Sequence, residues 1–440
     1  MHRRRNATRR RSDSTTRRES TINFITRLRA LKHTLRFLAA LSFAVLATTA
    51  PSQDLQPVAC PSVTAALQPF VDNHTLGGAV ALVATKDKIL CLDAVGCSDL
   101  ENKTPMQVNN LFWLASISKT FVGVSVMMLM DEGKLNLDDP VEKYLPEFKG
   151  QMLADGKDQT HLRAPRHPIT VRECMNHTSG LATPDMMPPG FRGTSHRDEA
   201  RALAKMPLTD EPGTKGQYNN SGIDTMASVI TVASGMSFED FVQRRILDPL
   251  ALKHTTYWPN EEQAGALAIG FASKADQGGI ENFKPRHQPP PEPGVPTVIL
   301  SQFGSDSAKF YKNHYAWAAG GLFSRAGDLL TFERMILSGG EYAGKRYVSE
   351  AAFKEMITHR PEYPGNFGVA WTIQTNDNGL AKGTYGHHGA RGSVIWIDPG
   401  KGLVMAFLMQ AVDLKGKELD DIKRAFFTAA QKLPTDSKAK

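Results

Sequence analysis

The strongest constraint on how this chain can fold is where its strand patterns fall. Short apolar stretches of strand character lie early, at 78–85 and 88–95, and again late, at 367–374, 392–397 and 403–409. Between them, apolar residues recur at the three- and four-residue spacing of helices, around 116–133, 171–176, 221–233, 238–246, 326–337 and 349–358. Lys86-Asp87 and the run Asp398-Pro399-Gly400-Lys401-Gly402 read as tight turns, joining neighbouring strands as antiparallel hairpins. Amphipathic helices at 61–70 and 419–433 complete the two ends. The expectation is an α/β unit with a helical insertion. Without βαβ alternation or a Gly-rich loop after a strand, a doubly wound dinucleotide fold is disfavoured. Residues 150–168 read as a polar excursion. The stretch 278–296, with Pro289-Pro290-Pro291, reads as a long loop or lid.

Charge is unevenly placed. The net charge of +7 comes from residues 1–36, which carry eleven Arg and one Lys against Asp13 and Glu19; the remainder holds 40 basic and 43 acidic side chains. A near-neutral body gives no basic stripe for nucleic acid. The basic segment precedes the apolar run 37–50 and then Pro51-Ser52, the layout of an export signal and too short for a membrane span. Residues 1–50 are therefore expected to be a leader that directs the protein to the periplasm or cell envelope. It is either cleaved or kept as an anchor, through which the protein would associate with the membrane.

Four cysteines are too few for a disulfide scaffold. Cys91 and Cys97 fall on one expected strand, about 20 Å apart, which is too far for a bridge. All four are expected to be buried thiols.

The chemistry concentrates at Ser116-Ile117-Ser118-Lys119, where a short apolar run gives way to a helical pattern. Residues three apart share a helix face, so the Lys119 amine reaches the Ser116 hydroxyl, as an activated nucleophile requires. The helix N-terminus favours an alkoxide and a lowered Lys pKa. Ser-x-x-Lys alone arises about once or twice by chance in a chain of this length. Further elements follow in order: Asn176-His177-Thr178-Ser179-Gly180, then Tyr218-Asn219-Asn220 before a helix, Ala319-Gly320-Gly321, and His387-His388-Gly389 in the last strand region.

This ensemble resembles the serine β-lactamase and penicillin-binding protein superfamily, in the branch of class C β-lactamases, DD-peptidases and related esterases. The resemblance covers nearly all of residues 60–432. It implies the DD-peptidase/β-lactamase-like fold: an antiparallel sheet flanked by N- and C-terminal helices, plus a mostly helical subdomain. One catalytic domain would span 58–434, its α/β part about 58–132 and 318–434, its helical part about 133–317, with a tail at 435–440. It further implies a serine hydrolase acting through an acyl-enzyme on a β-lactam, a D-Ala-D-Ala peptide or a small ester, without a cofactor. Ser116 would be the nucleophile, Lys119 its activating partner and Tyr218 the general base. Asn220 would donate to the substrate's amide carbonyl. His387-x-Gly389 stands where many members carry Lys-Thr-Gly, and the N–H groups of Ser116 and Ala390 would form the oxyanion hole. The alternative is a relative that binds or is acylated by cell-wall ligands without turnover.

Two departures narrow the reading. Tyr-Asn-Asn in place of Ser-Asn-type motifs points to the class C-like branch. His387 in place of Lys makes that charge pH-dependent and weakens recognition of a carboxylate. Arg391 is read either as a carboxylate binder or as a surface arginine. Ser118 points off the Ser116 face, and His177 belongs to a structural turn. His387 and His388 face opposite sides of a strand, with no ligands at zinc spacing, so no metal is expected.

Overall fold

The computed structural model describes residues 55–155, 161–186, 195–274, 279–285, 290–375 and 379–435. The basic leader lies outside them, as do parts of the polar excursion and of the Pro-bearing stretch. Residues 55–435 belong to one compact unit.

Helix α1 (Pro61–Asp72) is followed by strands β1 (Gly78–Ala84), β2 (Ile89–Asp99) and β3 (Thr104–Pro105). Helices α2 (Ser118–Asp131), α3 (Asn220–Ser234) and α4 (Ala326–Leu337) come from the middle of the chain. Strands β4 (Thr372–Ile373), β5 (Tyr385–His388), β6 (Gly392–Asp398) and β7 (Leu403–Gln410) and helix α5 (Lys417–Ala430) complete it. The sheet runs β4-β5-β6-β7-β1-β2-β3, and every pair is antiparallel. The early and late halves of the chain meet at its centre, where Val80 lies opposite Leu408.

Side chains alternate across the sheet as the two-residue period of a strand demands. Ala79, Ala81 and Val83, with Met405, Phe407 and Met409, pack against Leu67 of α1 and Phe426 of α5. Val80, Leu82 and Ala84, with Val404, Ala406 and Leu408, join the cluster containing Phe121 of α2 and Phe332 of α4. Strands β1, β6 and β7 are buried along their whole length, the signature of a sheet covered on both faces. Helix α2 is buried from Ser118 to Leu129. A helix buried all round is a core element, so whatever it carries at its N-terminus is held rigidly.

Two expectations are corrected. Of the stretch 367–374 only Thr372–Ile373 is strand, because Ala370 adopts φ 62°, a left-handed conformation that ends extended pairing. Cys60 and Cys91 are joined in a disulfide, while Cys97 and Cys174 remain thiols. The bridge forms because Val58 pairs with Leu92, which lays the segment ahead of α1 alongside β2. Among the described residues, no helix is long and apolar enough to cross a membrane.

Candidate active site

Ser116 lies in a 3-10 turn, Ala115–Ile117, that runs directly into α2. Ala115 takes φ 47°, a strained conformation for a residue with a Cβ and one that recurs at functional sites. Ser118 stabilises the turn: its hydroxyl donates to the Ala115 carbonyl at 2.6 Å and accepts the Leu322 N–H at 3.0 Å. It is fully buried and faces away from Ser116's partners.

One turn on, Lys119 points back at Ser116. Its Nζ lies 3.0 Å from Ser116 Oγ and donates to the Ala319 carbonyl at 2.7 Å. The side chain is wholly buried, and desolvation pulls its pKa well below that of a free lysine, with the nearby Asp224 opposing the shift. A buried amine so depressed has a neutral form within reach of physiological pH, which is what a base requires.

Tyr218 closes the other side. Asn219 caps α3: its Oδ1 accepts the Ser221 N–H at 2.8 Å and its Nδ2 donates to the Leu181 carbonyl at 2.6 Å. The cap thus falls on Asn219, and the Asn220 Oδ1 is buried without a partner among the described residues. Ser116 lies near enough to the Tyr218 hydroxyl to lower its pKa, and Lys119 Nζ sits 4.9 Å from the ring centroid. Desolvation raises this phenol to about 12, although with 45% of the residue exposed water screens part of that push. Tyr218 is therefore protonated at rest.

The third segment enters on β5. Its outer neighbour β4 reaches only Tyr385 and Gly386, so among the described residues the edge at His387 and beyond has no strand beside it. A Cβ on Gly389 would lie 2.6 Å from the Leu114 carbonyl; the missing side chain lets this strand end approach the segment leading to Ser116. The Ala390 N–H has no acceptor among the described residues, and Ala390 itself is exposed. His387 differs from expectation. Its Nδ1 lies 2.9 Å from the His388 carbonyl and its Nε2 is buried without a partner among the described residues. Desolvation, then the nearby Lys119, hold its pKa well below the usual imidazole range, so it stays neutral and supplies no switch near neutrality. His388 faces the other way and packs edge-on against Trp396.

Arg391 is not a surface arginine. It is 9% exposed, donates to the Gln302 carbonyl at 2.7 Å, and lies 4.5 Å from the Phe303 ring centroid and 5.3 Å from that of Trp113. Burial lowers even this guanidinium, to about 10. Arg391 braces two rings from behind, an arrangement suited to a flat weakly hydrated cation.

One residue of the site was not singled out by its sequence context, and another was read only as structural. Asp224 on α3 accepts the Ala319 N–H at 2.8 Å and the Trp317 indole N–H at 3.2 Å. It therefore anchors Ala319, the residue whose carbonyl accepts from Lys119. Desolvation, then the neighbouring Glu199, push the Asp224 carboxyl upward. An acidic residue amid the apolar run Ile223, Met226, Ala227 was the available signal, since an unpaired carboxylate is rarely buried. His177, assigned to a structural turn, also forms a wall of the site. Its ring centroid lies 4.5 Å from that of Tyr218 with the planes tilted by 42°, its φ is 64°, and burial, then Lys119, hold its pKa down to about 3.

The family model described as Beta-lactamase matches residues 63–430. The chain belongs to the Beta-lactamase family. Among its family relatives, Protein Rv1367c of Mycobacterium tuberculosis is 28% identical, over 79% of this chain and 88% of that protein. Esterase EstB of Burkholderia gladioli is 26% identical, over 72% of this chain and 80% of EstB. The solved structure of EstCE1, a hydrolase with promiscuous acyltransferase activity, shares the Beta-lactamase-family fold. It has a TM-score of 0.66 and 22% identity, covering 83% of this chain and 97% of that one.

Proposed function

We propose that this protein is a serine hydrolase that forms an acyl-enzyme on Ser116 and prefers uncharged esters to carboxylate-bearing β-lactams or D-Ala-D-Ala peptides. The observation that carries the hydrolase reading is the 3.0 Å contact between Ser116 Oγ and the buried, pKa-depressed Lys119 amine. With one N–H committed to the Ala319 carbonyl, neutral Lys119 accepts the Ser116 proton as the oxygen attacks the substrate carbonyl. The N–H groups of Ser116 and Ala390 meet the developing oxyanion. Tyr218, protonated at rest, gives its proton to the leaving group and regains one from Lys119. In deacylation Tyr218 passes its proton to neutral Lys119 as it takes one from the attacking water, and the resulting Lys119 ammonium returns a proton to Ser116 as the acyl bond breaks.

The ester preference is supported by the two residues expected to meet a carboxylate. His387 is held neutral, and the Arg391 guanidinium is covered by aromatic rings. The likeness to EstB points the same way. Asn220, its Oδ1 without a partner among the described residues, faces an acyl substituent in this reading.

Export is part of the proposal: disulfides such as Cys60–Cys91 persist in oxidising compartments, and the leader would serve as a cleaved signal or membrane anchor. A fluorophosphonate should label wild type at Ser116 and leave Ser116→Ala unlabelled. The purified protein should turn over p-nitrophenyl acetate faster than nitrocefin or a D-Ala-D-Ala peptide. Equal labelling of Ser116→Ala refutes the nucleophile; faster nitrocefin or peptide turnover refutes the ester preference.

A further inference from the structure

Beside Ser116 lies a second feature that acyl transfer itself does not require. A cleft of about 170 Å³ is lined by the rings of Trp113, Phe303, Phe310, Tyr311, Trp317 and Phe323, with Ile299 and Ser307 between them. Five of those rings are only half-buried. A contiguous aromatic surface left open on a protein marks a ligand groove more often than a packing fault.

Its walls are continuous with the reacting centre. Trp113 precedes Ser116 by three residues, which bounds their Cα separation at about 11 Å. Trp317 and Gly321 line the cleft, while Ala319 between them accepts from Lys119. The Trp113 indole donates to the Gly320 carbonyl at 2.6 Å, tying the two walls together. On the far side Arg391, next to Ala390, braces Trp113 and Phe303. An apolar group attached to a carbonyl held at Ser116 therefore has this cleft as its nearest apolar shelter. The volume sets its size, because a cavity of about 150 Å³ accommodates benzene.

We propose that this cleft is a substrate subsite for one compact apolar substituent, about the size of a phenyl ring or a short branched chain. The inference rests on the reading of Ser116 as the nucleophile. It leaves the acyl and alcohol sides of the ester as two sources of the same apolar group, which the test separates.

One arm varies the acyl group at constant leaving group: p-nitrophenyl acetate, butyrate, phenylacetate and decanoate. The other varies the alcohol at constant acetyl: ethyl, butyl, benzyl and decyl acetate. In at least one arm kcat/KM should rise about tenfold or more from the smallest member to the phenyl-bearing one, then fall at ten carbons. Ser307→Phe, which fills the cleft, should abolish that rise while leaving hydrolysis of the smallest ester unchanged. Phe310→Ala, which enlarges it, should move the optimum to longer chains. A rise in one arm assigns the side of the ester that is bound. Flat profiles in both arms, or a rise that both variants leave untouched, overturn the subsite. If Ser116→Ala still hydrolyses p-nitrophenyl acetate, the nucleophile reading fails instead. A thermal melt of each variant separates loss of fold from loss of selectivity.

Discussion

The two walls around Ser116 are built on opposite plans. The polar wall gathers single atoms from widely separated segments: Lys119 on α2, His177, Tyr218 and Asp224 at and within α3, the Ala319 carbonyl and His387 on β5. Each is held by named hydrogen bonds or tight packing inside the core. The aromatic wall draws most of its rings from one stretch, 299–323, and leaves them half open. Proton transfer fails when an atom is displaced by an ångström, so its groups need core elements to hold them. Sorting substrates by size needs only a volume of the right shape, and a segment of short helices, Thr297–Phe303 and Ser305–Lys312, can supply that.

Substitutions should keep these plans apart. The largest effect is expected for Lys119→Ala, which should lower kcat about 10²- to 10⁴-fold for every substrate in a series and leave their ranking intact. Steady-state kinetics across the p-nitrophenyl esters checks this, and a changed ranking would mean that the polar wall also selects. Tyr218→Phe should lose about as much on esters with poor leaving groups and less on p-nitrophenyl esters, because its proton matters most when the leaving group is basic. Equal losses on both would take Tyr218 out of leaving-group protonation.

A smaller effect is expected from Asp224→Asn, about tenfold in kcat, through a loosened Ala319. The pH profile separates this from simple misfolding. The Asp224 charge raises the Lys119 pKa, so its removal lets Lys119 stay neutral to lower pH. The acid limb of kcat/KM should therefore move down in pH; an upward move would contradict the assigned coupling. Smallest in turnover is the disulfide, remote from both walls. Cys60→Ser with Cys91→Ser should cost about 2–4 kcal/mol in chemical denaturation and leave kcat unchanged.

The same contrast governs what could be read from the sequence. Ser116, Lys119 and Tyr218 were legible because the chemistry admits few residue types and helix geometry fixes the spacing of the first two. The antiparallel sheet was legible from alternation and turn residues at 78–95 and 392–409. Asp224 was not, since its principal partner is the backbone of Ala319 and main-chain groups carry no signature in a sequence. Arg391 was misplaced as a surface option because its cover, Trp113 and Phe303, lies about ninety residues or more away along the chain. Cys60 and Cys91 were separated by a turn and a helix whose relative placement only the sheet register reveals. The aromatic cleft was invisible for a related reason: rings spaced irregularly along 303–323, with Trp113 far away in the chain, acquire a shape only after folding.

The segment from Trp317 to Gly321 is a partition with a different tenant on each side. Trp317 faces the aromatic cleft and also donates to Asp224; Ala319, two residues on, accepts from Lys119 and donates to the same carboxylate. A substituent pressing on the indole therefore leans on the support of the catalytic amine. Specificity and turnover are consequently not independent dials in this protein: a substitution at Trp317 made to admit a larger ester should register in kcat as well as in KM.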